Sequence, residues 1–264
     1  TMVRQSTNNC LEFDGSLDNG IVSHEYGHGI SNRLTNAAGG NSCLSNEEEG
    51  GEGWSDFFAL FLSKKPGDDK NTPRGIGNYA VGLPSTGDGI RRYPYSYDMS
   101  INPLTYADMA ASTEVHDIGE IWCAALWDMH WLLVDKYGYS TDFYAGNGGN
   151  NRALKLVLEG LKLQKCSPGF LDARNAILKA DSILYAKANT CEIWTAFARR
   201  GMGFSALQGS SASASDQTAA FNLPPSCSTT PTATANFTAS DTVLCSGGSL
   251  TFTNTSTASS GSVD

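Results

Sequence analysis

The sequence predicts a mainly α-helical fold with a short β segment towards its C-terminal end. Three observations carry this. Apolar residues recur at helical spacing over 51–63 and 114–137. Helix punctuation brackets such stretches: Asp18 is placed to cap the first helix and Gly138 to close the long one. From Cys227 the composition turns to Ser, Thr, Pro and Ala, and residues 235–245 and 249–255 alternate with period two, as strands do.

The first helix is expected from Asp18 to about Leu34, after a polar, irregular stretch over 1–17. It contains His24-Glu25-Tyr26-Gly27-His28, an H-E-x-x-H pattern. Residues i and i+4 share one helix face, so His24 and His28 can hold one metal ion between them. Glu25, at the edge of that face, can accept a proton from an attacking water. Catalytic zinc takes three protein ligands and keeps a fourth position open. Gly51-Glu52-Gly53-Trp54-Ser55-Asp56 offers the third, Glu52, 28 positions after His24. Gly27 and Gly29 cost helix stability, which fits a helix that something must approach closely.

Residues 35–50 read as a polar surface loop. Its Glu47-Glu48-Glu49 run reads as a solvated acidic turn, although its oxygens are also of the kind that calcium takes. The second helix, 51–63, buries Trp54, Phe57, Phe58, Leu60, Phe61 and Leu62. Residues 64–113 are rich in Gly and Pro, and an irregular stretch that long in a compact domain points to function. It holds Arg91-Arg92-Tyr93-Pro94-Tyr95. The long helix over 114–137 opens with His116, where the positive end of the helix dipole favours a neutral imidazole or one paired with Asp117 or Glu114. His130, further along it, reads as packing or surface. After a Gly/Asn turn at 139–149 come helices over about 150–164, 170–188 and 191–200.

Composition narrows the function. The chain has 264 residues, 40% of them apolar, and a net charge of −9. An acidic chain without a basic stripe is a poor partner for nucleic acid. No apolar run approaches the about 20 residues that span a membrane. Seven cysteines without a Cys-x-x-Cys pair suit disulfides of an oxidising compartment rather than a thiolate metal site. Cys123 reads as a buried free thiol. Cys166 with Cys191 is the expected bridge, with Cys166–Cys227 as the alternative.

Four strings together resemble the fungalysin-type secreted metallopeptidases, thermolysin-like gluzincins. They are Asp18 to Leu34, Gly51-Glu-Gly-Trp-Ser-Asp-Phe57, Arg91-Arg-Tyr-Pro-Tyr-Ser96, and Glu114-Val-His-Asp-Ile-Gly-Glu-Ile-Trp122. The resemblance implies a zinc endopeptidase of extracellular proteins, secreted, made as a precursor and monomeric. It implies zinc ligands His24, His28 and Glu52, general base Glu25, and Asp56 orienting a ligand histidine. His116 would donate to the oxyanion, and Arg91, or Arg92 beside it, would bond a substrate carbonyl. It also implies that residues 1–225 are the helical lobe of a thermolysin-like zincin, joined by a linker at 226–234 to the opening of a PKD-type immunoglobulin-like repeat at 235–264. On this view a β-rich lobe belongs before Thr1, and residues 1–264 alone should bind zinc but cleave poorly. One departure stands out: no Tyr lies between His28 and Glu52 to assist at the oxyanion, which leaves that role to a Tyr of the 93–106 loop or to none. Two rival functions stay open, a zinc aminopeptidase and a non-catalytic adhesion or matrix-binding module. The intact His24, Glu25, His28 and Glu52 set argues against the second.

Overall fold

The computed structural model describes residues 13–36, 42–65, 67–111, 114–228, 233–243 and 246–258. Six α-helices follow one another among them: α1 (Asn19–Leu34), α2 (Gly51–Ser63), α3 (Val115–Tyr137), α4 (Gly149–Leu163), α5 (Phe170–Tyr185) and α6 (Thr190–Arg199). Short 3-10 segments at Gly15–Leu17 and Tyr106–Ala111 complete the helical content. The chain divides into two compact units, Thr1–Ser226 and Cys227–Asp264.

The first unit is organised on α3. Ile121, Trp122, Leu126, Trp127, Met129 and Leu133 are fully buried along it, at about 1.5–3 kcal/mol for each large apolar side chain removed from water. The Trp122 ring meets Trp54 of α2, Phe170 of α5 and Phe197 of α6 at centroid distances of 4.9, 5.1 and 5.4 Å. Helix α2 lies between α1 and α3, which is why it is buried nearly all round rather than on one stripe. The expected caps are present: Asp18 accepts from Gly20 N and Ile21 N, and Gly138 closes α3 at φ 72°, while Glu114, which the sequence did not mark as a cap, accepts from His116 N and Asp117 N.

The irregular segment after α2 is tied down by a charge. Arg200, fully buried after α6, donates to both carboxylate oxygens of Asp128 on α3 at 2.9 and 3.1 Å. Its remaining N–H groups reach the carbonyls of Ser96, Asn102 and Leu104. A guanidinium is suited to this because its five donors fan out in one plane.

In the second unit, β1 (Ala233–Thr234) pairs antiparallel with β4 (Thr257–Ala258), and β2 (Phe237–Ala239) with β3 (Phe252–Asn254). The Phe237 and Phe252 rings meet edge to face at 5.4 Å. The alternating residues do pair as strands, in shorter runs than the pattern suggests, and Cys245 lies outside the described residues.

Four expectations need correction. Leu62, expected on the buried side of α2, is exposed. Cys166 bonds Cys43, not Cys191 or Cys227; Cys191 and Cys227 are also disulfide-bonded. The pairing was hidden because the α1–α2 loop folds back 123 positions in sequence onto the α4–α5 turn, where Ser167 N donates to Cys43 O. Helix α5 stops at Tyr185 because Ala186 and Lys187 turn left-handed, at φ 50° and 68°. The acidic turn is not solvated: Glu48 and Glu49 are buried and only Glu47 is exposed. Glu48 accepts from the Tyr106 hydroxyl and Phe170 N, while Glu49 accepts from Gly51 N. The three carboxylates therefore do not converge on one ion. Cys123 is a buried free thiol, as expected, whereas Cys10 lies outside the described residues.

His130 is packing, in an aromatic box. Trp127 stacks on it at 4.6 Å, and Phe57, Phe61 and Trp131 present their rings at an angle. Neither ring nitrogen has a hydrogen-bond partner among the described residues. Burial, with Lys64 as a smaller cause, pushes its pKa down from 6.5 to about 3. A base with a depressed folded-state pKa stabilises the fold above its unfolded value, and that stability drains as pH falls from 6.5 towards 3. Between pH 7 and pH 5 this group should cost about 2 kcal/mol. Chemical denaturation of His130→Phe across that range should show a flatter pH slope than wild type. Equal slopes would clear His130 of the effect.

Candidate metal centre

The α1, α2 and α3 helices meet at glycines. A Cβ on Gly27 would lie 2.8 Å from Ser55 Cα, so only glycine lets α1 come this close to α2. A Cβ on Gly119 would strike Glu52 Cβ and sit 2.7 Å from Gly53 N, and one on Gly53 would strike Gly119 O. So α2 is pressed against α1 on one side and α3 on the other. Glu52 projects from this double contact. Gly29, by contrast, would bring a Cβ only against the end of the Arg33 side chain.

At that junction three donors face one another. His24 Nε2 is 3.1 Å from His28 Nε2 and 3.0 Å from Glu52 Oε2, and His28 Nε2 is 3.3 Å from Glu52 Oε1. Their ligand atoms all lie within 4.8 Å of one another, and no other group of three His, Cys, Asp or Glu does so among the described residues. The second nitrogen of His24, Nδ1, is 2.6 Å from Asp56 Oδ1. A proton on Nδ1 leaves the Nε2 lone pair turned towards Glu52 and His28. Burial resists the His24 imidazolium, but hydrogen bonds to Asp56 and Glu52 outweigh it and raise the group to about 9. Two carboxylates, Glu52 and Asp56, thus face His24 and favour positive charge in this pocket. Two imidazoles and a carboxylate with a fourth side open therefore fit a tetrahedral metal of zinc type.

Asp56 is the hub beneath. It is fully buried, yet Arg91 Nε and Nη2 donate to its two oxygens at 2.7 and 2.8 Å, and the Tyr95 hydroxyl donates at 2.5 Å. Burial would push the Asp56 carboxyl up, but Arg91 and the His24 bond bring it down to about 2. Arg91 also comes within 3.6 Å of Glu52. Arg92 points elsewhere: its backbone N and Nε bond Glu120, and Nη2 reaches Asp117 O.

Glu25 and His116 are both exposed and line one cavity of about 610 Å³, with His24 and Arg91 at its base. His116 Nδ1 is 2.5 Å from Glu114 Oε1, which leaves Nε2 facing the site, 3.4 Å from Glu52. Of the two carboxylates the sequence offered as its partner, Glu114 is the one that bonds its ring. A second cavity of about 540 Å³ shares Ile90, Arg91 and His116 with the first and is also lined by Arg92, Glu114, Asp117 and Glu120.

The structure thus brings His24, Glu25, His28, Glu52, Asp56, Arg91 and His116 together and leaves Arg92 on the flank. Tyr95 was missed as a partner of Asp56, since its place in a tyrosine-rich loop gave no sign of it. Among the described residues no tyrosine lines either cavity. Tyr95 and Tyr106 are buried on Asp56 and Glu48.

The family model described as fungalysin metallopeptidase (M36) matches residues 3–206. Among curated proteins, the chain is 43% identical over 222 residues to the probable extracellular metalloproteinase 3 of Trichophyton verrucosum, covering 81% of this chain and 34% of that protein. It is 44% identical over 211 residues to the extracellular metalloproteinase mep of Aspergillus fumigatus, covering 75% of this chain and 32% of the relative. The chain therefore spans about a third of the length of the relatives it matches.

The glycine contacts make a paired prediction. Gly27→Ala should force α1 off α2 and lower stability by about 1–3 kcal/mol, as overpacking does. Gly29→Ala should be neutral or stabilise by up to about 1 kcal/mol through helix propensity. Thermal unfolding of both variants decides; equal melting temperatures would mean that the α1–α2 approach is not set at Gly27.

Proposed function

The chain belongs to the fungalysin metallopeptidase family, and from that membership we propose that it is a zinc-dependent endopeptidase acting on extracellular proteins. The observation that carries the proposal is the convergence of His24, His28 and Glu52 beside a cavity onto which Glu25 and His116 open. Zinc held by those three residues would supply Lewis-acid polarisation of the scissile carbonyl and of the attacking water. We take zinc as the metal because two imidazoles and one carboxylate are a catalytic zinc set. Calcium gains no support from the Glu47–Glu49 run.

The remaining chemistry is assigned to this chain's own groups. Glu25 accepts the attacking water's proton and returns it to the leaving amine; its exposed carboxylate beside His24 supports this. His116 donates from Nε2 to the developing oxyanion, with the Glu114 carboxylate fixing its tautomer through Nδ1. Asp56 orients His24 and Arg91 anchors Asp56, which leaves Arg91 able to bond a substrate carbonyl only while it keeps that pair. Arg92, engaged by Glu120 and Asp117, is the weaker candidate. We assign catalysis to 1–225, linker to 226–234 and a PKD-like segment to 235–264, with support from the division after Ser226. Secretion rests on the relatives' extracellular naming and on the disulfides. No helix of the described residues is long and apolar enough to cross a membrane.

Glu25→Gln should retain one zinc per chain and lose turnover, because an amide cannot take the proton. Metal analysis beside cleavage of a terminally blocked peptide tests this, and also separates endopeptidase from aminopeptidase action. Near wild-type cleavage by the variant would remove Glu25 from the mechanism.

Metal affinity should be lost in Glu52→Ala and fall by about 10- to 100-fold in Asp56→Ala. His116→Ala should keep its zinc while turnover drops on the order of 10² to 10³. Equal zinc content in wild type and Glu52→Ala would require a different third ligand.

A further inference from the structure

The cavity beside the metal centre has two kinds of wall. Ile21 and Val22 of α1 and Ile76 and Ile90 of the long loop make it apolar. Asp14 lines the same cavity with an exposed carboxylate, held by the Ser16 backbone N–H on Oδ1 at 2.9 Å. That hydrogen bond also holds the Asp14 carboxyl below its ordinary range.

The charges around this cavity are unequal. Arg91 is the one Lys or Arg among its lining residues, and it is committed to Asp56 through two nitrogens. It cannot turn to meet Asp14 without breaking a buried pair. Glu25 lies on the metal side and has its own task in the reaction. Asp14 is thus the one lining carboxylate without a role in the proposed chemistry. A side chain that enters past four aliphatic residues and ends near Asp14 needs an apolar stem and a cationic tip. Lysine and arginine have that form: their methylenes lie along apolar surface while the charge stays in contact with water.

We propose that Asp14 is a specificity-determining residue that makes this cavity favour a substrate Lys or Arg over an apolar side chain of the same length. The inference rests on the peptidase reading and adds to it which residue flanks the cut bond. The pair forms at an exposed carboxylate, so its effect is small and sensitive to salt.

The experiment uses the full-length protein with zinc and blocked peptides varied at each residue flanking the scissile bond. Lysine, norleucine and glutamate are compared, since norleucine keeps the stem and lacks the charge. At one flanking position, kcat/KM for lysine should exceed that for norleucine about two- to five-fold at low ionic strength. The ratio should fall towards one in Asp14→Asn, which still caps the 3-10 turn. In Asp14→Lys it should invert in favour of glutamate. Because ratios within each variant are compared, a general loss of folded protein does not mimic the result. Dissociation constants of two short peptide hydroxamates, bearing lysine or norleucine, give the same ratio without turnover. If no peptide is cut, the peptidase reading fails while those constants still judge Asp14. A lysine preference that persists unchanged in Asp14→Asn, or its absence at both positions, overturns the proposal.

Discussion

The close approach of three helices at glycines is the constraint on which the metal centre depends. His24 and His28 can be placed by one helix alone, since their spacing sets them on one face. Glu52 cannot. It must arrive from a second helix at about 3 Å from both imidazoles, and a carboxylate on a short side chain reaches that far only if the backbones nearly touch. Gly27 allows this on the α1 side and Gly119 on the α3 side, where any Cβ would meet backbone or Cβ atoms that cannot swing away. The helix propensity lost at Gly27, about 1 kcal/mol, is the cost of that geometry. The core then locks it, because α3 contributes more buried residues than any other helix and fixes where Gly119 stands.

Beneath the ligands, the geometry is held by charge rather than by packing. Asp56, Arg91 and Tyr95 form a buried cluster with His24. Burying an ion pair yields little net stability, because desolvation offsets most of the attraction, yet removing one partner strands the other at a cost of about 3–5 kcal/mol. Such a cluster therefore specifies position. It makes the 89–96 loop and the α1–α2 pair adopt one relative arrangement, since Asp56 is satisfied only when Arg91 and Tyr95 both arrive. Arg200 does the same for 96–104 through Asp128 and three carbonyls. An irregular segment of this length becomes part of the wall around the site because two buried guanidinium groups hold it there.

What was legible in the sequence follows from this division. The helices, the Asp18 and Gly138 caps and the His24, His28 and Glu52 set could be read, because they depend on spacing along one chain segment and on motif order. Glu114 as the partner of His116 could be narrowed to two residues for the same reason. The Cys43–Cys166 bridge, the burial of Glu48 and Glu49 and the Tyr95–Asp56 bond could not. Each depends on which distant segments meet, and a run of three glutamates carries no mark that two of them will be enclosed by Tyr106, Phe170 and Gly51. Gly27 was legible as an anomaly within a helix, but the neighbour it makes room for, Ser55, was not.

The centre also separates what holds from what acts. His24, Asp56, Arg91 and Tyr95 are buried and mutually bonded, while Glu25 and His116 are exposed and reach the cavity. A ligand nitrogen gains from burial, which fixes its tautomer and strengthens its hydrogen bond to Asp56. A group that must accept or donate a proton during each turnover gains from the opposite placement, since a fully buried carboxylate or imidazole would have its charged form suppressed. Glu49 shows that cost within a few residues of the site: burial lifts its carboxyl to about 7. Glu25, one residue from a buried histidine, stays exposed because successive side chains on a helix point about 100° apart. The adjacency of His24 and Glu25 in sequence is thus what lets one turn of helix supply both the proposed ligand and the proposed solvent-facing base.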